Sequence, residues 1–205
     1  MASYSNWRWS CLLIAIFIPS NRAAEQTDTA SASTAPRSGV WTWPIVFMHS
    51  KVIYLNLSTM NYPDINCIKE YRVTWNHSAR LMTKMMWIGF STGDWKNYDV
   101  VYKAEGNRRP AQAFTAVDSS RSMKFTIAFN YTSEHCAILS KKQNNTGGDF
   151  NEACELWVND KFFKSGNKNQ EPCTTNFKTF CQSQNTTVFN IDNCEDSVGK
   201  PILIA

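Results

Sequence analysis

From residue 53 onward the chain holds short runs in which apolar and polar side chains alternate, the period-2 mark of strands with one dry face and one wet face. The clearest run is Met123-Lys124-Phe125-Thr126-Ile127-Ala128-Phe129-Asn130-Tyr131. It sets Met123, Phe125, Ile127, Phe129 and Tyr131 on one face, and Lys124, Thr126 and Asn130 on the other. Ile53-Tyr54-Leu55-Asn56-Leu57 sets Asn56 against the leucines, and Tyr71-Arg72-Val73-Thr74-Trp75-Asn76 sets Asn76 against Tyr71, Val73 and Trp75. Residues 81–88, 98–103, 112–117, 136–141 and 154–158 complete eight predicted strands. Segments rich in Asn, Asp, Gly, Pro and Ser at 61–64, 91–94, 106–107, 118–120 and 144–149 supply turns between them. Eight short strands with few helical patterns among them predict an all-β fold, an eight-stranded antiparallel up-and-down barrel. Its interior has room for packed side chains or for one small ligand.

The ends of the chain follow other patterns. Residues 41–48 read as a short helix or turn that covers one end of the barrel, and Trp43 before Pro44 limits where a helix begins. Cys173, Phe177, Phe180 and Cys181 fall at i, i+4, i+7 and i+8, with Thr174, Lys178 and Gln182 turned away. That predicts a helix packed on the outside of the barrel, with an extended piece at 187–191 beside it. Residues 25–39 are polar and of low complexity, which predicts a disordered leader. At the start, Arg8 precedes an apolar run from residue 11 to 18 that Pro19 ends. Too short to span a bilayer, this run reads as a signal peptide over residues 1–24. One domain is therefore expected over 40–205.

Charge and cysteines narrow the class. The 205 residues carry a formal net charge of +4, and loss of residues 1–24 removes Arg8 and Arg22 and no acid. No concentrated basic patch is left, which argues against nucleic acid or a membrane surface as partner. No later stretch has the length or hydrophobicity of a membrane helix, so a secreted, extracellular monomer is expected. Of seven cysteines, Cys11 leaves with the signal, and Cys67, Cys136, Cys154, Cys173, Cys181 and Cys194 remain. An even count in a secreted chain implies three disulfides, with fifteen pairings open to the sequence. With three histidines and no Cys-x-x-Cys, neither a zinc site nor a cofactor is expected. Asn-x-Ser/Thr sequons at Asn56, Asn76, Asn130, Asn144 and Asn185 agree with secretion and place those residues at the surface if they are used.

One stretch imitates an enzyme motif. Gly89-Phe90-Ser91-Thr92-Gly93 matches the pattern of a hydrolase nucleophile elbow. That elbow needs a strand, a sharp turn and a helix, with an acid and a histidine following. Here another strand-like run follows, and His135 is the sole downstream histidine. A hairpin loop, and no enzyme, is the reading.

The most informative constellation is Cys136-Ala137-Ile138, sixteen residues, Glu155-Leu156-Trp157, fifteen residues, and Cys173. It closely resembles the signature of the tick salivary lipocalins, the histamine-binding family, over roughly residues 41–195. Gly39-Val40-Trp41 is similar to the Gly-x-Trp of ordinary lipocalins. The resemblance implies a lipocalin barrel with Cys136 joined to Cys173 and Cys67 to Cys194, which leaves Cys154 with Cys181. It also implies stoichiometric capture of a host mediator such as histamine, serotonin or a leukotriene. Where amine-binding members carry Asp after the first cysteine, this chain has Ala137, and Leu139 beside it makes that wall apolar. That favours a lipid or sterol over a small diamine. Cys-Glu-Leu-Trp-Val with an extra cysteine also resembles the Japanin-like clade, which implies a sterol ligand and a host immune protein or cell surface as partner.

Candidate pocket residues follow from parity and from that signature. Glu155 and Trp157 are expected inward, a carboxylate to pair an amine and an indole to offer a cation-π face. Cys154 then points outward, toward the helix. Ala137, Leu139, Tyr71, Val73, Trp75, Tyr98, Val100, Tyr102, Phe125, Ile127 and Phe129 complete an aromatic, mostly uncharged inner wall. Such filling is also how an empty barrel packs itself.

Overall fold

The computed structural model describes residues 44–106, 111–118, 124–144, 150–164, 166–182 and 185–194. The expected signal peptide and leader lie outside them. After a short helix α1 (Pro44–Met48) come β1 (Val52–Ser58), β2 (Ile65–Asn76), β3 (Leu81–Phe90), β4 (Trp95–Ala104), β5 (Ala113–Asp118), β6 (Lys124–Thr132), β7 (Cys136–Asn144) and β8 (Phe150–Asn159). Each strand pairs antiparallel with the next, and β1 pairs with both β8 and β2, so the sheet closes into an eight-stranded barrel. Helices α2 (Asp160–Lys164) and α3 (Asn167–Cys181), the two-residue strand β9 (Thr187–Val188) and a 3-10 turn (Ile191–Cys194) follow. β2 pairs with β1 only from Val52 to Tyr54, and β9 takes over at Leu57 and Ser58. The C-terminal strand thus covers β1 backbone groups that β2 leaves behind, instead of lying beside the helix.

Two cores result. Ile53, Leu55, Ile68, Met82, Met86, Val100, Tyr102, Phe114, Phe125, Ile127, Leu139 and Trp157 fill the inside, closed at one end by Phe47 and Met48 of α1. Outside, α3 presses Cys173 and Phe177 onto Tyr131, Ile138, Leu156 and Val158. The disulfides are Cys67–Cys194, Cys136–Cys173 and Cys154–Cys181. Two of them pin α3 to β7 and β8, and the third pins the C-terminal turn to β2.

Four bulges shift what strict alternation predicts. Register breaks between Leu55 and Leu57, between Ile65 and Cys67, between Arg72 and Thr74, and between Phe129 and Tyr131. Each inserts one unpaired residue and reverses the face of everything beyond it. Leu57 and Tyr131 therefore join the outer core instead of the inner one. In β2, Trp75 packs inward, Val73 is 50% exposed, and Tyr71 lies outside against Lys69. The unpaired residues Asn56 and Asn130 are half-buried sequons, while Asn76 and Asn185 are exposed. The side chain of Asn144 lies outside the described residues. On α3, Phe180 is exposed, because the buried stripe runs through Cys173, Asn176 and Phe177.

Ser91 sits in the β3–β4 hairpin, not before a helix. In an up-and-down barrel that turn is at the opposite end from the β6–β7 connection that carries His135. The two cannot form a hydrolase pair. Gly89 is small because Trp95, opposite it, packs its ring 2.9 Å from where a Cβ would stand.

Candidate functional site: the barrel interior

Strand β8 delivers Glu155 and Trp157 to the inside as alternate residues, while Cys154 and Leu156 face out to α3. The Glu155 side chain is 1% exposed. Its Oε1 accepts from the Tyr62 hydroxyl at 2.6 Å, its Oε2 from Trp157 Nε1 at 2.8 Å, and Lys141 Nζ stands 3.5 Å from Oε1. A carboxylate this deep is tolerable because charge-assisted hydrogen bonds replace its lost water. Tyr62 comes from the β1–β2 connection, so this carboxylate also ties that loop to the barrel wall.

A second buried cluster is built from β2, β3 and β4. Glu70 on β2 accepts from the Tyr102 hydroxyl at 2.5 Å and pairs with Lys84 Nζ at 3.5 Å. Lys84 and Glu70 are 0% and 2% exposed. Register sets Arg72 opposite Lys84 and Met86 opposite Glu70, so the ion pair is a diagonal contact across β2 and β3. The Lys84 ammonium has no hydrogen-bond partner among the described residues. Burial pulls its pKa below 10.5, and the Glu70 carboxylate resists that shift.

Two neighbouring spaces remain inside the barrel. A central cavity of about 20 Å³, room for about one water, is lined by Phe47, Glu70, Tyr102, Leu139, Glu155 and Trp157 among others. Toward the β1–β2 end a mouth cavity of about 160 Å³ is lined chiefly by Met60, Ile65, Ile68, Met86, Ile88 and Trp157. Phe125, Met86, Lys141 and Trp157 border both. A larger open cleft of about 570 Å³ lies at the α1 end and includes His49, Trp75, His77 and Arg80.

Of the residues expected in the pocket, Glu155, Trp157, Leu139, Tyr102 and Phe125 line the interior cavities. Ala137 is buried inside opposite Trp157, and Phe129 packs on Phe114. Tyr98 is half-buried opposite Met86 on the inward face of β4. Trp75 lines the α1-end cleft, and Tyr71 is outside. The wall is not mostly uncharged, for it carries two carboxylates and two lysines. The visible signal was Lys84 itself, a lone charge in the largely apolar run from Met82 to Ile88 of β3.

Buried hydroxyls give the fold a pH signature. Burial first, and the neighbouring carboxylate second, push the hydroxyls of Tyr62 and Tyr102 far above 10, and burial raises Tyr71 and Tyr131. Above pH 10 the unfolded chain releases these protons before the folded one does. The folded state then holds more protons, so stability complete below pH 10 falls as pH rises beyond it. Lys84 has the opposite sign but is one group against four. Alkaline unfolding followed by circular dichroism should therefore coincide with the rise of tyrosinate absorbance. Tyrosines that all titrate near pH 10 in a still-folded chain would contradict this.

A closed, disulfide-pinned barrel with a polar-studded apolar interior and a helix on its flank is a lipocalin, a ligand-binding fold. The family model for tick histamine binding protein matches residues 43–196. The chain belongs to that family of tick salivary lipocalins. Similar solved structures include Japanin from Rhipicephalus appendiculatus bound to cholesterol, at 14% identity and TM-score 0.49, covering 70% of this chain and 95% of that one. A bovine odorant-binding protein triple mutant is similar at 11% identity and TM-score 0.49, covering 68% and 91%. Lobster apocrustacyanin A1 is similar at 12% and 0.45, covering 71% and 78%. No curated protein matches the chain in sequence. Among the described residues no helix is long and apolar enough to cross a membrane, and no group of three or more His, Cys, Asp or Glu could hold a metal.

Proposed function

We propose that the protein is a secreted salivary lipocalin that sequesters one small host mediator in the mouth half of its barrel, suppressing host inflammation and immunity. The ligand presents an uncharged, largely apolar body. One observation carries this reading: both interior carboxylates are already engaged by the chain's own lysines and hydroxyls, whereas the space toward the β1–β2 end is mostly apolar, with Gln143, Tyr62 and the engaged Lys141 as its polar members. An entering ammonium would have to displace an internal partner, and an apolar body would not. A cavity of about 160 Å³ is below the ~300 Å³ at the low end for drug-sized ligands. The ligand is therefore small, or it moves the unbranched side chains of Met60 and Met86, which repack readily. Secretion and glycosylation are supported by the N-terminal apolar run, the three disulfides and the sequons.

Native mass spectrometry of protein purified from a eukaryotic host tests this. The expected result is one added mass per chain, that of an uncharged ligand, lost in Ala153→Phe, whose ring fills the mouth. A ligand retained by a folded Ala153→Phe, or a barrel that stays empty when offered apolar probes, would defeat the reading. Two or more host proteins captured with the cavity filled in this way would instead favour action through a protein partner.

A further inference from the structure

The ammonium of Lys141 stands in a box that is chemically complete around it. Its Nζ is 3.5 Å from Glu155 Oε1, 4.7 Å from the ring centre of Phe125 and 5.6 Å from that of Tyr62. Tyr62 donates its hydroxyl to the same Oε1. A carboxylate flanked by aromatic faces is how proteins recognise an ammonium group withdrawn from water, since ring quadrupole and carboxylate together replace its hydration. The Lys141 side chain is only 19% exposed, and it borders both the central and the mouth cavity.

We propose that Lys141 is a tethered occupant of an amine site: it fills the carboxylate–aromatic box with the chain's own ammonium and so excludes free primary amines from the barrel. This rests on the reading that the barrel interior is the ligand site, and it names Lys141 as the residue that sets its specificity. Register shows how the tether works. Lys141 on β7 lies opposite Ala153 on β8, and Glu155 is two residues further on the same face. The small Ala153 leaves room for the lysine stem to run diagonally to the carboxylate.

A group on a short flexible tether is present at an effective concentration of about a millimolar or more, and it is never diluted away. A free amine must compete with that concentration. Both cations cannot share one carboxylate without repelling each other. The other interior carboxylate offers no substitute, because Lys84 and Tyr102 already hold Glu70. Without the Lys141 charge the box keeps Glu155, Phe125 and Tyr62 and has no cation in it.

Calorimetric titration with histamine and tryptamine, on the full mature chain, tests the proposal. Four proteins are compared: wild type, Lys141→Met, Lys141→Gln, and Lys141→Met combined with Glu155→Gln. Thermal unfolding establishes first which of them are folded, and the glutamine variant stands in if the methionine one is not. Wild type should give no resolvable heat at millimolar amine. Either single variant should bind at least about tenfold more tightly, and the added Glu155→Gln should abolish the gain. Wild-type affinity equal to that of the variants overturns the proposal while leaving the barrel as the ligand site. Folded Lys141→Met and Lys141→Gln that both fail to gain amine binding also overturn it. An empty barrel in native mass spectrometry defeats the apolar-ligand reading but leaves this wild-type-to-variant contrast intact.

Discussion

Glu70→Leu should lower the unfolding free energy by about 3–5 kcal/mol, because it strands the fully buried Lys84 ammonium and the Tyr102 hydroxyl without a partner. The double variant Glu70→Leu, Lys84→Met should recover most of that loss, since neutral side chains of similar size need no counter-charge. Urea unfolding of the two variants beside wild type measures both. The pH dependence separates a stranded charge from lost packing. Glu70 is the group that holds the Lys84 pKa up against burial, so its removal lets that pKa fall further below 10.5. Between the folded value and 10.5 the unfolded chain binds more protons than the folded one, and stability rises with pH. The penalty of Glu70→Leu should therefore shrink as pH is raised toward 10, whereas a packing defect would not change. A loss under about 1 kcal/mol, or one independent of pH, would show that the interior pair is not a buried charge pair.

The second large effect belongs to the bridge between Cys67 and Cys194, 127 residues apart in sequence. In the chain-entropy account, replacing both by alanine should cost about 4–5 kcal/mol, and the Cys154–Cys181 bridge about 1 kcal/mol less, because its loop is shorter. The longer bridge also has a local role. It holds the C-terminal turn where the Cys194 carbonyl accepts from buried Lys69, close after Phe189, whose ring packs beside Tyr62. Loss of this bridge should thus loosen the β1–β2 connection and weaken ligand retention, while the Cys154–Cys181 pair, on the α3 side, should leave retention unchanged. Denaturant unfolding and ligand retention, measured on both double-alanine variants, test the contrast. Equal effects on retention would remove the mouth from the account.

Alternation exposed most of the barrel in advance. Residues 123–131 and 53–57 announce half-buried strands, and Glu155 and Trp157 share a face by spacing alone. The first half of β2 was not legible. Cys67, Ile68, Lys69 and Glu70 are all buried, because the C-terminal turn covers their outer face, and covered strands lose the alternation that marks them. Lys69 and Glu70 are charges whose partners come from other elements: the Cys194 carbonyl for Lys69, and Lys84 and Tyr102 for Glu70. Phe180 erred the other way, an apolar residue at helical spacing that the helix turns to water.

The sequence by itself determined the strand count of the barrel, the inward face of β8 and the even cysteine count that allows three disulfides, because these depend on periods and compositions local to each segment. Only the tertiary structure decided where that period breaks, at Asn56, Asn66, Val73 and Asn130, since a bulge belongs to the register between two strands and not to either one. It alone also placed Lys84 on Glu70 and Lys141 on Glu155. Attraction between opposite charges in a dry interior depends on distance through space, and closing the barrel brings those distances down to 3.5 Å.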